Sequence, residues 1–202
     1  MPNRPVLDFW YEFASPYSFL SALRVEAVAD EADVALRWRP FLLGPIFAGQ
    51  GWTTSPFNLF PNKGRYMWRD LERQAARAGI KLVRPNPFPQ NSHVAARVAL
   101  AGREAGWMPA FSKALFRAAF CEGRNIAEEA VLVAALKEAG ADPGSAISTS
   151  RSEEVKGRLK AETELAKSLG IFGAPAFITG DGELFWGDDR LGEALRWARD
   201  GR

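Results

Sequence analysis

A single cysteine, Cys121, and a single histidine, His93, stand in a chain of 202 residues. One thiol cannot close an internal disulfide, and one thiol with one imidazole is a poor basis for a metal site. Net charge is small: 26 Lys and Arg against 24 Asp and Glu leave +2, and no run of five like charges occurs. That balance excludes the basic stripe of a nucleic-acid surface. No uncharged apolar stretch approaches the roughly 18 residues that a membrane span requires. Met1-Pro2-Asn3-Arg4-Pro5 runs directly into a segment containing Asp8 and Glu12, without the apolar core of a signal peptide. A cytoplasmic protein is expected. What is present, 47% apolar and 25% charged residues, is ordinary for a globular chain able to build a sizeable core.

The chemistry is expected at Phe13-Ala14-Ser15-Pro16-Tyr17-Ser18. Before it, Leu7, Phe9, Tyr11 and Phe13 alternate with Asp8 and Glu12, the pattern of a strand with one buried face. After it, Tyr17, Leu20, Leu23 and Ala27 recur at helical spacing. Pro16 suits the first helical position, where its missing N–H has no intrahelical partner. Ser15 therefore falls at an N-cap, its hydroxyl and the neighbouring free N–H groups lying in the partial positive field of the helix end. A plain capping serine reads the same way locally. Position adds more: a strand, a short turn and a helix start within twenty residues is where thioredoxin-like proteins carry Cys-x-x-Cys. Here the pair is Ser15 and Ser18, so a borrowed thiol is needed, and glutathione is the natural donor.

The rest of the chain supports that placement. Val34, Leu36 and Trp38 predict a second strand closed by Pro40, and strand, crossover helix and strand make a parallel βαβ unit. Residues 41–64, punctuated by Gly and Pro, read as an irregular loop, with Phe47, Trp52, Phe57 and Phe60 arguing against disorder. From Arg65 to about Leu169 the pattern is helical: Met67 to Ala78, a helix capped by Asn91 or Ser92, one opened by Pro109, one through Leu132 and Leu136, a short one at Asp142-Pro143, and one with Ser150 and Glu153 as a capping box. Ala176–Thr179 and Glu183–Trp186 around Gly180-Asp181-Gly182 predict a hairpin, followed by a terminal helix. The expected fold is α/β, thioredoxin-like with a large all-helical insertion: residues 1–43 and 169–202 form the thioredoxin-like domain, and 44–168 form the loop and helical insertion.

These motifs, with Pro61-Asn62-Lys63-Gly64-Arg65-Tyr66, Gly173-Ala174-Pro175 and Trp186-Gly187-Asp188-Asp189-Arg190-Leu191 in the same order, resemble the 2-hydroxychromene-2-carboxylate isomerases. Those enzymes are related to kappa-class glutathione transferases and to the DsbA-like disulfide oxidoreductases. The resemblance implies glutathione as cofactor, with Ser15 bonded to its sulfur and Ala174, before Pro175, offering backbone to its cysteinyl part across a cis peptide. It implies a clamp for the γ-glutamyl end at Trp186, Gly187, Asp188 and Asp189, where helix capping is the plain alternative. Lys63 is implied as counter-charge to a carboxylate, and Asn58 and Phe88 as the side of the cleft that meets an aromatic 2-oxo acid. Trp52, Trp68 and Phe172 could shape the same pocket or serve the core. The implied reaction is thiolate addition to an unsaturated 2-oxo acid, bond rotation and expulsion of the thiol. Alternatives are a kappa-type transferase or peroxidase, and a non-catalytic thioredoxin-like binding module. Disulfide exchange is excluded, since Ser15 and Ser18 carry no sulfur. His93 and Cys121 read as structural by default. A homodimer is permitted without being required.

Overall fold

Leu7, Phe9 and Tyr11 of strand β1 (Val6–Tyr11) enter the main core, while Trp10 turns to a second, smaller cluster. This two-sided burial places β1 inside the sheet, whose order is β2-β1-β3-β4. The computed structural model describes residues 4–201. Helix α1 (Pro16–Glu31) carries the chain over to β2 (Ala35–Pro40), which pairs parallel to β1. Strands β3 (Ala176–Thr179) and β4 (Leu184–Trp186) complete the sheet as an antiparallel hairpin. Phe9 lies opposite Trp38 on one side and Phe177 on the other, stacking on Phe177 at 5.5 Å and meeting Trp38 edge-on at 5.0 Å.

Between β2 and β3 run α2 (Leu43–Gly49), α3 (Pro56–Leu59), α4 (Pro61–Arg77), α5 (His93–Ala101), α6 (Met108–Phe120), α7 (Glu129–Glu138), α8 (Pro143–Ser150) and α9 (Glu153–Ser168). After β4, a single 3-10 turn, Asp188–Arg190, leads into α10 (Leu191–Asp200). One buried cluster takes in β1, α1 and β2 together with Phe111 and Phe116 of α6 and Leu132 and Leu136 of α7. Residues before and after position 44 therefore share a core.

The expected irregular loop at 41–64 is corrected by three helices. Pro56 and Pro61 stand in first turns, where a proline starts a helix instead of breaking it, and the Ser55 hydroxyl accepts the Phe57 N–H at 3.3 Å. One cap also shifts, and the expected choice between Asn91 and Ser92 is decided. Ser152, not Ser150, caps α9 by accepting the Val155 N–H, while the Ser150 hydroxyl donates to the Ile147 carbonyl at 2.7 Å. Ser92 makes no side-chain cap bond; the Asn91 side chain takes the His93 N–H at 3.1 Å. Asp142 caps α8 through the Ser145 N–H, as expected.

Helices α3 and α4 meet at Gly64. A Cβ there would stand 2.3 Å from the Phe57 carbonyl oxygen, a backbone atom that cannot rotate away. Gly64→Ala is expected to lower stability by about 1–3 kcal/mol despite the better helix propensity of alanine. Thermal unfolding followed by circular dichroism checks it, and a raised Tm would mean that α3 yields at no cost.

Candidate active site

Ser15 caps α1 in extended conformation, its Oγ accepting the Ser18 N–H at 3.2 Å. The same hydroxyl donates to the Ala174 carbonyl at 2.8 Å. The Ala174-Pro175 peptide is cis. Ser18 is fully buried, and its Oγ accepts the Glu12 N–H at 3.4 Å. The α1 N-terminus and the loop before β3 are thus joined through one hydroxyl, which faces a cleft of about 1750 Å³. Pockets for one small ligand run to roughly 300–1,000 Å³, so this cleft has room for two ligands side by side.

Its walls come from four places. Phe47 and Trp52 lie along α2 and the turn after it, with their rings 5.6 Å apart. Lys63 borders the cleft from the first turn of α4, not from a loop, and its Nζ rests 4.6 Å over the Phe60 ring with no salt bridge among the described residues. Phe88 and His93 come from the segment that enters α5. Phe172, Gly173 and Ala174 face Trp186, Gly187, Asp188 and Asp189. The Phe172 and Trp186 rings pack at 4.8 Å and stay about half exposed, giving the rim an apolar lip.

The clamp expected at positions 188 and 189 divides. The Asp188 carboxylate is buried and committed to α1, accepting from Ser21 Oγ at 2.6 Å and pairing with Arg24 at 2.9 Å. Asp189 points outward, its nearest cation Arg190 at 3.9 Å, and is the carboxylate available to a ligand ammonium. Pro175 does not line the cleft; its carbonyl holds the Gly187 N–H at 3.0 Å and so fixes the loop that does. Asn58 is also absent from the lining. Its amide donates to the Phe88 carbonyl at 3.1 Å and to Thr54 Oγ1 at 3.3 Å, so it bolts α3 to the segment carrying Phe88. Trp68 stands behind Phe88, edge-on at 4.9 Å. Cys121 is half-buried at the end of α6, away from the cleft lining.

Two features escaped the sequence. The Tyr17 hydroxyl donates to Asp70 Oδ2 at 3.0 Å, linking α1 to α4 across the cleft. Burial first, then the Asp70 carboxylate, hold that hydroxyl protonated far above its ordinary range. Glu12 lies on the cleft floor with Oε2 accepting the Ala14 N–H at 2.9 Å. Burial pushes its carboxyl up to about 7, against the contrary pull of the Ser92 hydroxyl and the Ala14 N–H. In the sequence Glu12 is only the polar partner of an alternating strand; a carboxylate two residues past Trp10, on the buried second face, is the signal that could have found it.

Among the described residues no group of His, Cys, Asp and Glu is placed to hold a metal ion, and no helix is long and apolar enough to cross a membrane. The donor set suits an organic anion that also carries an ammonium: a hydroxyl at a helix N-terminus, one unpaired lysine and one outward carboxylate.

A family profile described as a DSBA-like thioredoxin domain matches residues 6–195. The 2-hydroxychromene-2-carboxylate isomerase of Sphingobium xenophagum is 27% identical over 187 residues, covering 92% of this chain and 93% of its own. Glutathione S-transferase kappa 2 of Caenorhabditis elegans is 26% identical over 204 residues, with 95% and 90% covered. A solved structure of a 2-hydroxychromene-2-carboxylate isomerase superposes with a TM-score of 0.83 at 26% identity, over 98% of this chain and 99% of that one.

Proposed function

Because this chain belongs to the family of DSBA-like thioredoxin domains, we propose that it is a glutathione-dependent isomerase. Its substrate is 2-hydroxychromene-2-carboxylate or a related unsaturated 2-oxo acid, converted to trans-o-hydroxybenzylidenepyruvate or its counterpart in aromatic catabolism. The observation that carries the reading is Ser15, a hydroxyl at the N-cap of α1 opening on a cleft with room for two ligands, in a chain whose one thiol lies elsewhere. Relatives named as this isomerase and as kappa glutathione transferases support the reaction and the cofactor respectively.

Glutathione, when bound, supplies a sulfur nucleophile. Ser15 redirects its hydroxyl hydrogen from the Ala174 carbonyl to that sulfur, and the α1 N-terminus adds its partial positive charge. A hydrogen bond to a charged acceptor contributes about 1.5–3 kcal/mol, and the helix end about 0.3–1. Together these supply the roughly 2.7 kcal/mol needed to lower a thiol pKa by two units. Asp189 receives the ammonium of the γ-glutamyl end, and Lys63, without an ion pair among the described residues, holds a carboxylate. Trp52 and Phe88 bound the apolar side, where an aromatic ring is kept from water.

The test is a spectrophotometric assay of 2-hydroxychromene-2-carboxylate with and without glutathione, with the thiol measured before and after. Turnover that requires glutathione and leaves its concentration unchanged is expected. Stoichiometric loss of glutathione would move the protein to the second reading, a kappa-class-like transferase or peroxidase, which the Caenorhabditis elegans relative favours.

A further inference from the structure

Holding a thiolate over Ser15 leaves one proton without a destination. The Ser15 hydroxyl cannot take it, because in that role its single hydrogen is already donated to the sulfur. Glu12 is placed to receive it. Its backbone carbonyl accepts the Ser15 N–H at 2.9 Å, its Oε2 accepts the Ala14 N–H at 2.9 Å, and it borders the same cleft at 5% exposure. Asp8, four residues earlier on β1, is held by Arg37 and Arg39, whereas Glu12, just past the end of that strand, has no cationic partner among the described residues. Of the charged and titratable groups that border the cleft, Lys63 lies over Phe60, Tyr66 lies under Arg73, His93 Nδ1 faces Asn91, Asp70 takes Tyr17, Asp188 pairs with Arg24 and Asp189 points outward. None pairs with Glu12. A carboxylate buried without a cation is costly to keep ionised and is ready to bind a proton.

We propose that Glu12 is the proton acceptor for a thiol held over Ser15, and returns the proton when the thiol leaves. The proposal rests on the glutathione reading above. The S–H bond breaks with its electron pair left on sulfur, and an O–H bond forms on the Glu12 carboxyl, directly or through one water. The site carries one negative charge before and after, so two anions never share the cleft floor. No oxidant or reductant enters. The carboxylate must be unprotonated when the thiol docks, so thiolate formation is favoured above about pH 7 and is lost as pH falls through that value.

The experiment is calorimetric titration with glutathione at pH 7.5 in two buffers of different ionisation enthalpy, which counts protons released, alongside the ultraviolet absorbance of bound thiolate. At that pH a free thiol is about one-tenth ionised, and burial has raised the Glu12 carboxyl so that it can hold the proton the thiol gives up. Wild type is therefore expected to form bound thiolate with release of clearly less than about 0.9 proton per glutathione. Glu12→Gln is expected to release about 0.9 proton per thiolate formed, or to lose the thiolate absorbance. Wild-type release of about 0.9 proton with a thiolate bound overturns the proposal, as does a Glu12→Gln protein that matches wild type. The wild-type count decides the matter even where the variant fails to fold. Absence of glutathione binding by wild type overturns the cofactor reading and this proposal with it. A bound thiolate with the wrong proton count overturns the Glu12 assignment alone.

Discussion

Ser15→Ala is expected to lower glutathione-dependent kcat/KM by about 10- to 150-fold at neutral pH, the equivalent of one hydrogen bond to a charged acceptor. The residue that remains is still the first position before α1, so the helix end continues to favour an anion and activity does not vanish. Alanine also removes the N-cap bond to Ser18 and the bond to Ala174, at about 1 kcal/mol of stability. That loss is small beside the effect on turnover. The pH profile separates electrostatic help from mere positioning. Near pH 9 a free thiol is already largely ionised, so the difference between variant and wild type should shrink. A deficit that stays constant from pH 7 to 9 would show that Ser15 acts by placing the ligand and not by stabilising its charge.

Glu162→Ala is expected to lower stability by about 3 kcal/mol, with a drop in Tm of roughly 6–12 °C. Glu162 sits on α9 with its side chain 8% exposed, accepting from Arg39 at 3.0 Å and pairing with Arg103 at 2.7 Å. Arg39 in turn reaches Asp8 at 3.4 Å and lies over the Trp10 ring at 5.1 Å. Deleting Glu162 leaves Arg39 and Arg103 with only Asp8, which Arg37 already holds, and a stranded buried charge is the expensive outcome. Arg103 is 28% exposed and can turn to water, which keeps the figure at the lower end of the range. Thermal unfolding of the variant checks it. The exposed pair of Arg151 and Glu129 is the control, since solvent screens it and its loss should leave the melting curve where it was.

Local chemistry was legible and packed chemistry was not. The alternation of Leu7, Phe9 and Tyr11 marked β1 because the core reads one strand face directly. Ser15 and Pro16 marked the start of α1 because capping is settled within four residues. The same prolines that announce helix starts at positions 56 and 61 also punctuate loops, and the sequence offers no local means of choosing between the two. Ser150 and Ser152 are equally good caps on paper; backbone geometry selects Ser152. At the site, the family's motifs named Lys63 and the pair 188–189; the structure puts Lys63 and Asp189 at the cleft and commits Asp188 to Ser21 and Arg24. Asn58 illustrates the opposite limit: its amide faces a neighbouring carbonyl, a choice made by the approach of Phe88 from thirty positions away. For Glu12 the sequence could mark a carboxylate on the buried second face, but not the enclosure, Ser92 included, that unsettles its charge.

The bond from Ser15 to the Ala174 carbonyl joins residues 159 positions apart. The sheet makes the same long reach where Leu7 pairs with Thr179, so a chain ending before Ala174 would lose at once the acceptor of the Ser15 hydroxyl and the strand that lies beside β1.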